Sequence, residues 1–134
     1  MKACIFFLLW SVFVFGDDCG GNCLEKNCPS CPCGNKPNPV NIGPICTRYN
    51  WNQICCHCIV KAESNGNTNS MKYVQGKGFY VGLFHINQMY WQICNKEKPP
   101  CEELTNAICA IQVYQMGGNS WWLWSTAKQC GCDN

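Results

Sequence analysis

The sequence predicts a disulfide-rich α+β domain, mainly helical, with a small antiparallel hairpin beside a cleft. Three observations predict it. Two stretches repeat apolar residues at helical spacing, one ending at Glu63 and one opening at Glu102 and Glu103. Between them a polar turn cluster leads into two short strand-like segments. Fifteen cysteines in 134 residues add a covalent framework.

Met1-Lys2 is a short basic start, Ile5 to Phe15 is apolar, and Val14-Phe15-Gly16 offers a cleavage site, so residues 1–16 read as a secretory signal peptide. Export, either outside the cell or into a lysosomal or phagosomal lumen, is the expectation. The apolar run is too short to span a bilayer and no later segment is long and apolar enough, so no membrane anchor is expected. Cys4 leaves with the leader, and the even remainder points to about seven disulfides with no free thiol. About 118 residues then form one domain, expected to be a monomer. Without Lys2, nine basic residues face eight acidic ones, a balance that argues against nucleic acid as a partner.

Residues 17–41 read as a cysteine-rich extension whose five cysteines and four prolines leave no room for a periodic element. Cys28-Pro29-Ser30-Cys31 has metal-ligand spacing, but an oxidising compartment would convert the thiolates to disulfides first. No metal and no other cofactor is expected. Such a knot suits a lid, a sugar-binding accessory or protection from proteolysis.

Residues 42–134 form the main domain. Val40 to Tyr49 predicts a short helix interrupted in its first turn by Gly43 and Pro44. Asn50 or Asn52 caps the next helix, in which Ile54, Cys55, Cys58, Ile59 and Ala62 form an apolar stripe. Glu63 leaves that helix at the edge of the stripe. Desolvation there raises the pKa of a carboxyl group, as a general acid working near neutral pH requires. Adjacent Cys55 and Cys56 point to different sides and should bridge different segments. His57 lies off the stripe and reads as solvated.

Ser64 to Asn69 ends the helix, and Met71 to Ile86 reads as two strands around Gln75-Gly76-Lys77-Gly78. Gln88 to Cys101 reads as a loop that Cys94 and Cys101 could close. Glu102 and Glu103 then open a helix with Leu104, Ile108, Ile111 and Gln115 down one side, ended by Gly117-Gly118. Ser120 can cap a short helix on which Trp121 and Trp124 share a face.

Three segments carry a resemblance to the lysozyme superfamily: Ala62-Glu63-Ser64-Asn65-Gly66-Asn67-Thr68, Gly82-Leu83-Phe84-His85-Ile86-Asn87, and Tyr90-Trp91. They resemble the E-S-x-x-N-T turn, the G-x-x-Q-I-N strand end and the sugar-contacting aromatic pair of c-type lysozymes. Tyr90-Trp91-Gln92-Ile93-Cys94 is also similar to the Y-W-x-x-C ending of invertebrate-type lysozymes. The likeness covers about residues 46 to 130 and leaves out the cysteine-rich extension.

The resemblance implies a lysozyme-like fold and a secreted β-1,4-N-acetylmuramidase, a glycoside hydrolase with Glu63 as general acid. Peptidoglycan or N-acetylglucosamine oligomers would lie against Tyr80, His85, Asn87, Tyr90, Trp91 and Trp121. It also implies that Cys58 pairs with Cys130 or Cys132, and that His85, standing where the family has glutamine, donates to sugar or titrates near Glu63. Trp121 would pack against Glu63 and supply the apolar surface that keeps it protonated, a logic borrowed from lysozyme itself. Trp122 and Trp124 read as core.

One departure from the family bears on catalysis. Tyr80 stands where c-type lysozymes carry the second carboxylate, and no acidic residue falls between positions 64 and 96. Three functions follow: a muramidase working with one carboxylate, a saccharide-binding protein that has lost turnover, or a cysteine-rich structural or signalling domain.

Overall fold

Asn52 has extended backbone angles and its Oδ1 accepts from Cys55 N–H at 2.9 Å, so Asn52 and not Asn50 opens the helix that carries Glu63. In the computed structural model, which describes residues 16–134, that helix is α2 (Gln53–Ser64), preceded by α1 (Gly43–Arg48). The leader read at residues 1–16 lies, apart from Gly16, outside the described residues. Beyond α2 come strands β1 (Met71–Val74), β2 (Gly78–Val81) and β3 (Ile86–Asn87), then α3 (Trp91–Asn95) and α4 (Glu103–Met116). The strands make one antiparallel sheet in the order β1-β2-β3, so the domain is α+β.

α2 ends as its sequence suggests. Asn65 is left-handed at φ +51° and its N–H returns to the carbonyls of Val60 and Lys61, a conformation that asparagine tolerates. Its buried face, however, is Cys56, Ile59, Val60 and Ser64, while Ile54 is 81 % exposed and Ala62 is exposed. Both stripes satisfy the helical spacing, and the crosslinks select between them. Cys56 turns inward to Cys46 on α1, while half-buried Cys55 and Cys58 run along the flank to Cys132 and Cys130. Pro44 does not interrupt α1; it lies in the first turn, where its missing N–H has no helical partner to lose.

The hairpin forms at the expected turn, with Lys72 opposite Tyr80 and Met71 opposite Val81. The chain then turns through Gly82, at φ +81°, and comes back as β3, which places Asn87 opposite Tyr80. The core lies behind this turn. Phe84 and Trp51 stand 5.5 Å apart between ring centroids, Trp51 and Trp121 4.8 Å, and Trp121 and Trp124 5.2 Å, all against Ile59, Val60 and Val113.

Four expectations fail after β3. Residues 88–95 are helical, first as a 3₁₀ turn over Gln88–Tyr90 and then as α3. Because α3 packs on α4, Cys94 meets Cys109 on that helix and not Cys101. α4 buries Asn106, Ala107, Cys109, Ala110 and Val113, leaving Leu104 and Ile108 on its outer side. No short helix forms at Trp121 to Trp124; that stretch is turns and bends, with Ser120 Oγ accepting from Trp122 N–H at 3.3 Å.

Seven disulfides join the fourteen cysteines from Cys19 to Cys132. In the extension Cys19 pairs with Cys31 and Cys23 with Cys28, so the two sulfurs of the Cys28-Cys31 spacing belong to different bridges. Asp17, Cys19 and Cys31 cluster, but both sulfurs are already bonded. Cys33 pairs with Cys101, tying the knot to the segment before α4. Buried Asn22 completes the attachment: its Nδ2 donates to Gly34 O, its Oδ1 accepts from Asn67, and its carbonyl accepts from Met71 N–H. The knot therefore covers the free edge of β1 with a bridge between Cys23 and Met71. Among the described residues no helix is long and apolar enough to cross a membrane.

Candidate functional site

Three elements bring side chains together at the end of α2. Ser64 Oγ donates to Leu83 O at 2.7 Å, which clamps the last turn of the helix to the loop between β2 and β3. On the far side of that loop Asn106, fully buried on α4, accepts from Phe84 N–H at 2.9 Å and donates to Val81 O at 2.9 Å and Pro100 O at 2.7 Å. The fit is close at Gly82, where a Cβ would lie 2.0 Å from Asn106 Nδ2. Trp124 Nε1–H adds a bond to Phe84 O at 2.9 Å. So held, the loop presents His85 at φ +44°, a left-handed conformation that a non-glycine residue keeps only when its surroundings demand it.

His85 faces Glu63. Its Nδ1 and Glu63 Oε2 are 3.0 Å apart, its Nε2 and Ser70 Oγ are 2.7 Å apart, and Thr126 Oγ1 donates to Glu63 Oε1 at 3.0 Å. The side chains of His85 and Glu63 are 7 % and 8 % exposed, so the pair is largely withdrawn from water. The chain Ser70–His85–Glu63 can carry a proton either way. A proton on Nδ1 makes Nε2 the acceptor of the serine hydroxyl; a proton on Oε2 makes Nδ1 the acceptor and Nε2–H the donor to Ser70.

Glu63 and His85 open onto a cleft of about 440 Å³, which Tyr80, Asn87 and Tyr90 also line. Five of the seven residues assigned to the site from sequence thus stand together. The other two stand elsewhere. Trp121 is 3 % exposed inside the aromatic cluster, with its indole N–H unpartnered, and Trp91 turns its Nε1–H into the loop to bond Ile86 O at 3.0 Å. The tryptophans on the cleft are Trp122, 57 % exposed, and Trp124. Asn87 lines the cleft, but its amide is occupied by Lys77 O, Phe79 O and Met89 N–H. His57 is exposed on the outer side of α2.

Tyr80 lines the same cleft as Glu63. Burial pushes the Tyr80 phenol above its ordinary pKa, helped by the negative charge of Glu63 and by Tyr90. Lys72 Nζ sits 5.6 Å from the centre of the Tyr80 ring, and Lys77 lies on the same cleft. Lys72 could have been found from the pairing of β1 with Tyr80. Ser70, Asn106 and Thr126 carry no local signal, since each reaches the site through a contact 15 or more residues distant in sequence.

The chain matches no protein-family model, no curated protein and no solved structure.

Proposed function

We propose that this is a secreted, lysozyme-like muramidase that cleaves peptidoglycan or related N-acetylglucosamine polymers with Glu63 as the general acid. The observation that carries the reading is a carboxyl group 8 % exposed on a cleft wall, held at both oxygens by His85 and Thr126. A glycosidic oxygen entering the cleft would take the proton from Glu63 and leave as a free hydroxyl as its bond to the anomeric carbon breaks; water adds to that carbon, and the proton it gives up restores Glu63. The Ser70–His85 pair offers a route by which a proton returns to Glu63 between turnovers. Exposed Trp122 and half-buried Tyr90 offer apolar faces for sugar rings. The density of disulfides fits an oxidising, extracytoplasmic setting.

A second reading is a saccharide-binding protein without turnover. It draws on Tyr80, a neutral group beneath Lys72 where a two-carboxylate enzyme keeps an anion to stabilise or capture the cationic transition state.

Clearing of a bacterial peptidoglycan suspension separates the two. The muramidase reading expects slow clearing by the parent and a drop of about 100-fold or more in Glu63→Gln, with Tyr80→Asp faster than the parent. Activity that persists in Glu63→Gln sinks the assignment of that residue. An inactive parent that still binds N-acetylglucosamine oligomers favours the second reading.

A further inference from the structure

A second, smaller pocket of about 210 Å³ lies beyond Glu63, and part of its wall comes from the cysteine-rich knot. Leu24 and Glu25 line it together with Ser70, Thr126 and Glu63. The two pockets adjoin, since Glu63, Lys72, His85 and Ser125 line both.

The knot is held so that its tip stays there. Cys23 and Cys28, five positions apart, close a tight loop by disulfide, and Lys26 N–H returns to Cys23 O at 3.0 Å to make the turn. One side of the loop is bridged to β1 through Cys23 and Met71; the other is fastened by Asn27 Nδ2, which donates to Tyr73 O at 3.0 Å. With both stems tied to the edge strand, Leu24 stands 81 % exposed, an apolar side chain fixed at a pocket rim with no protein partner to cover it. Glu25 beside it is a carboxylate with no ion pair among the described residues.

We propose that the knot builds the half of the substrate path beyond Glu63. Leu24 supplies an apolar platform for the face of a sugar ring, and Glu25 accepts hydrogen bonds from hydroxyl or acetamido N–H groups. The ligand class is a linear amino-sugar oligosaccharide long enough to occupy both pockets, with the bond to be cleaved lying at Glu63. This rests on the reading of the main cleft as a saccharide site. The extension then sets how much chain the site holds, and it does so whether or not the protein turns substrate over.

The test compares short and long ligands on the intact, fully oxidised protein. Affinities for the dimer and the hexamer of N-acetylglucosamine are measured by titration calorimetry, with parent and with Leu24→Ser/Glu25→Gln. Both replaced side chains are exposed, so the seven disulfides and the fold should survive, and mass spectrometry checks them. The parent should bind the hexamer about tenfold tighter than the dimer, and the double variant should lose about that factor on the hexamer while the dimer changes by less than about twofold. A hexamer affinity unchanged in the variant, or a loss equal for both ligands, overturns the subsite while leaving the main cleft intact. A parent that binds neither oligomer overturns the saccharide reading and the subsite together.

Discussion

The knot and the helical core reach order by different means. Residues 17–41 bury little besides sulfur and Asn22; they are shaped by two internal disulfides, one tether to Cys101 and side-chain hydrogen bonds to backbone and to Asn67. The core around Phe84 is shaped by apolar surface removed from water, with the Cys46–Cys56 and Cys94–Cys109 crosslinks reinforcing it from within. The smaller pocket beyond Glu63 lies along the seam, so its wall at Leu24 and Glu25 is fixed covalently and its wall at Ser70 and Thr126 by packing. A single substitution should therefore unsettle the two walls by different routes.

The largest effect is expected in the core. Phe84 is fully buried against Trp51, Trp121 and Trp124, so Phe84→Ala should cost about 3–5 kcal/mol in chemical denaturation. Its loop also carries His85, so oligosaccharide binding should weaken in the same variant even under conditions where it remains folded. A loss of stability with unchanged binding would separate the site from the core.

The covalent wall should respond otherwise. Cys33→Ser/Cys101→Ser opens a crosslink spanning 68 residues and should cost about 2–4 kcal/mol. Its signature is selective. Near-ultraviolet circular dichroism from the aromatic cluster should persist, while limited proteolysis cuts first within residues 17–41. Simultaneous loss of both signals would mean that the knot and core fold as one unit.

These contrasts track what could be read in the sequence. The helix cap at Asn50 or Asn52, the helix end in the Ser64 to Asn69 cluster, the hairpin turn and the divergence of Cys55 and Cys56 are local events, set by residues that lie within a few positions of each other. Local chemistry survives in any fold. Which face of α2 turns inward, which tryptophan reaches the cleft and which cysteine meets Cys94 depend on partners distant in sequence, and periodicity carries no information about them. The same holds within the site. Glu63 was legible from a motif, whereas Ser70, Thr126 and Asn106 became visible only once the chain had brought them to it.

Trp121 and Trp122 are neighbours that divide this question between them. Trp121 is in the cluster with an unpartnered N–H, so Trp121→Phe removes a buried unsatisfied donor and should leave oligosaccharide affinity within about twofold of the parent. Trp122→Ala removes an exposed ring from the cleft and should weaken binding by about 1 kcal/mol with little change in stability. The reverse pattern would put Trp121 back on the substrate path.

The smallest expected effect is a titration, and it probes the main cleft alone. Tyr80 is held above its ordinary pKa of 10.0, first by burial, then by Glu63 and Tyr90. Since the folded value is the raised one, the stability linked to this phenol is fully present below the unfolded pKa and is lost as pH rises through the folded pKa. The phenolate absorbance that disappears in Tyr80→Phe identifies its transition. Glu63→Gln removes the negative charge but not the burial, so the transition should move down only part of the way toward the ordinary value. A complete return to that value would mean that Glu63, and not burial, dominates the environment of Tyr80. No movement would mean that the carboxylate does not face position 80, which would remove the reason for expecting Tyr80→Asp to supply an anion beside it.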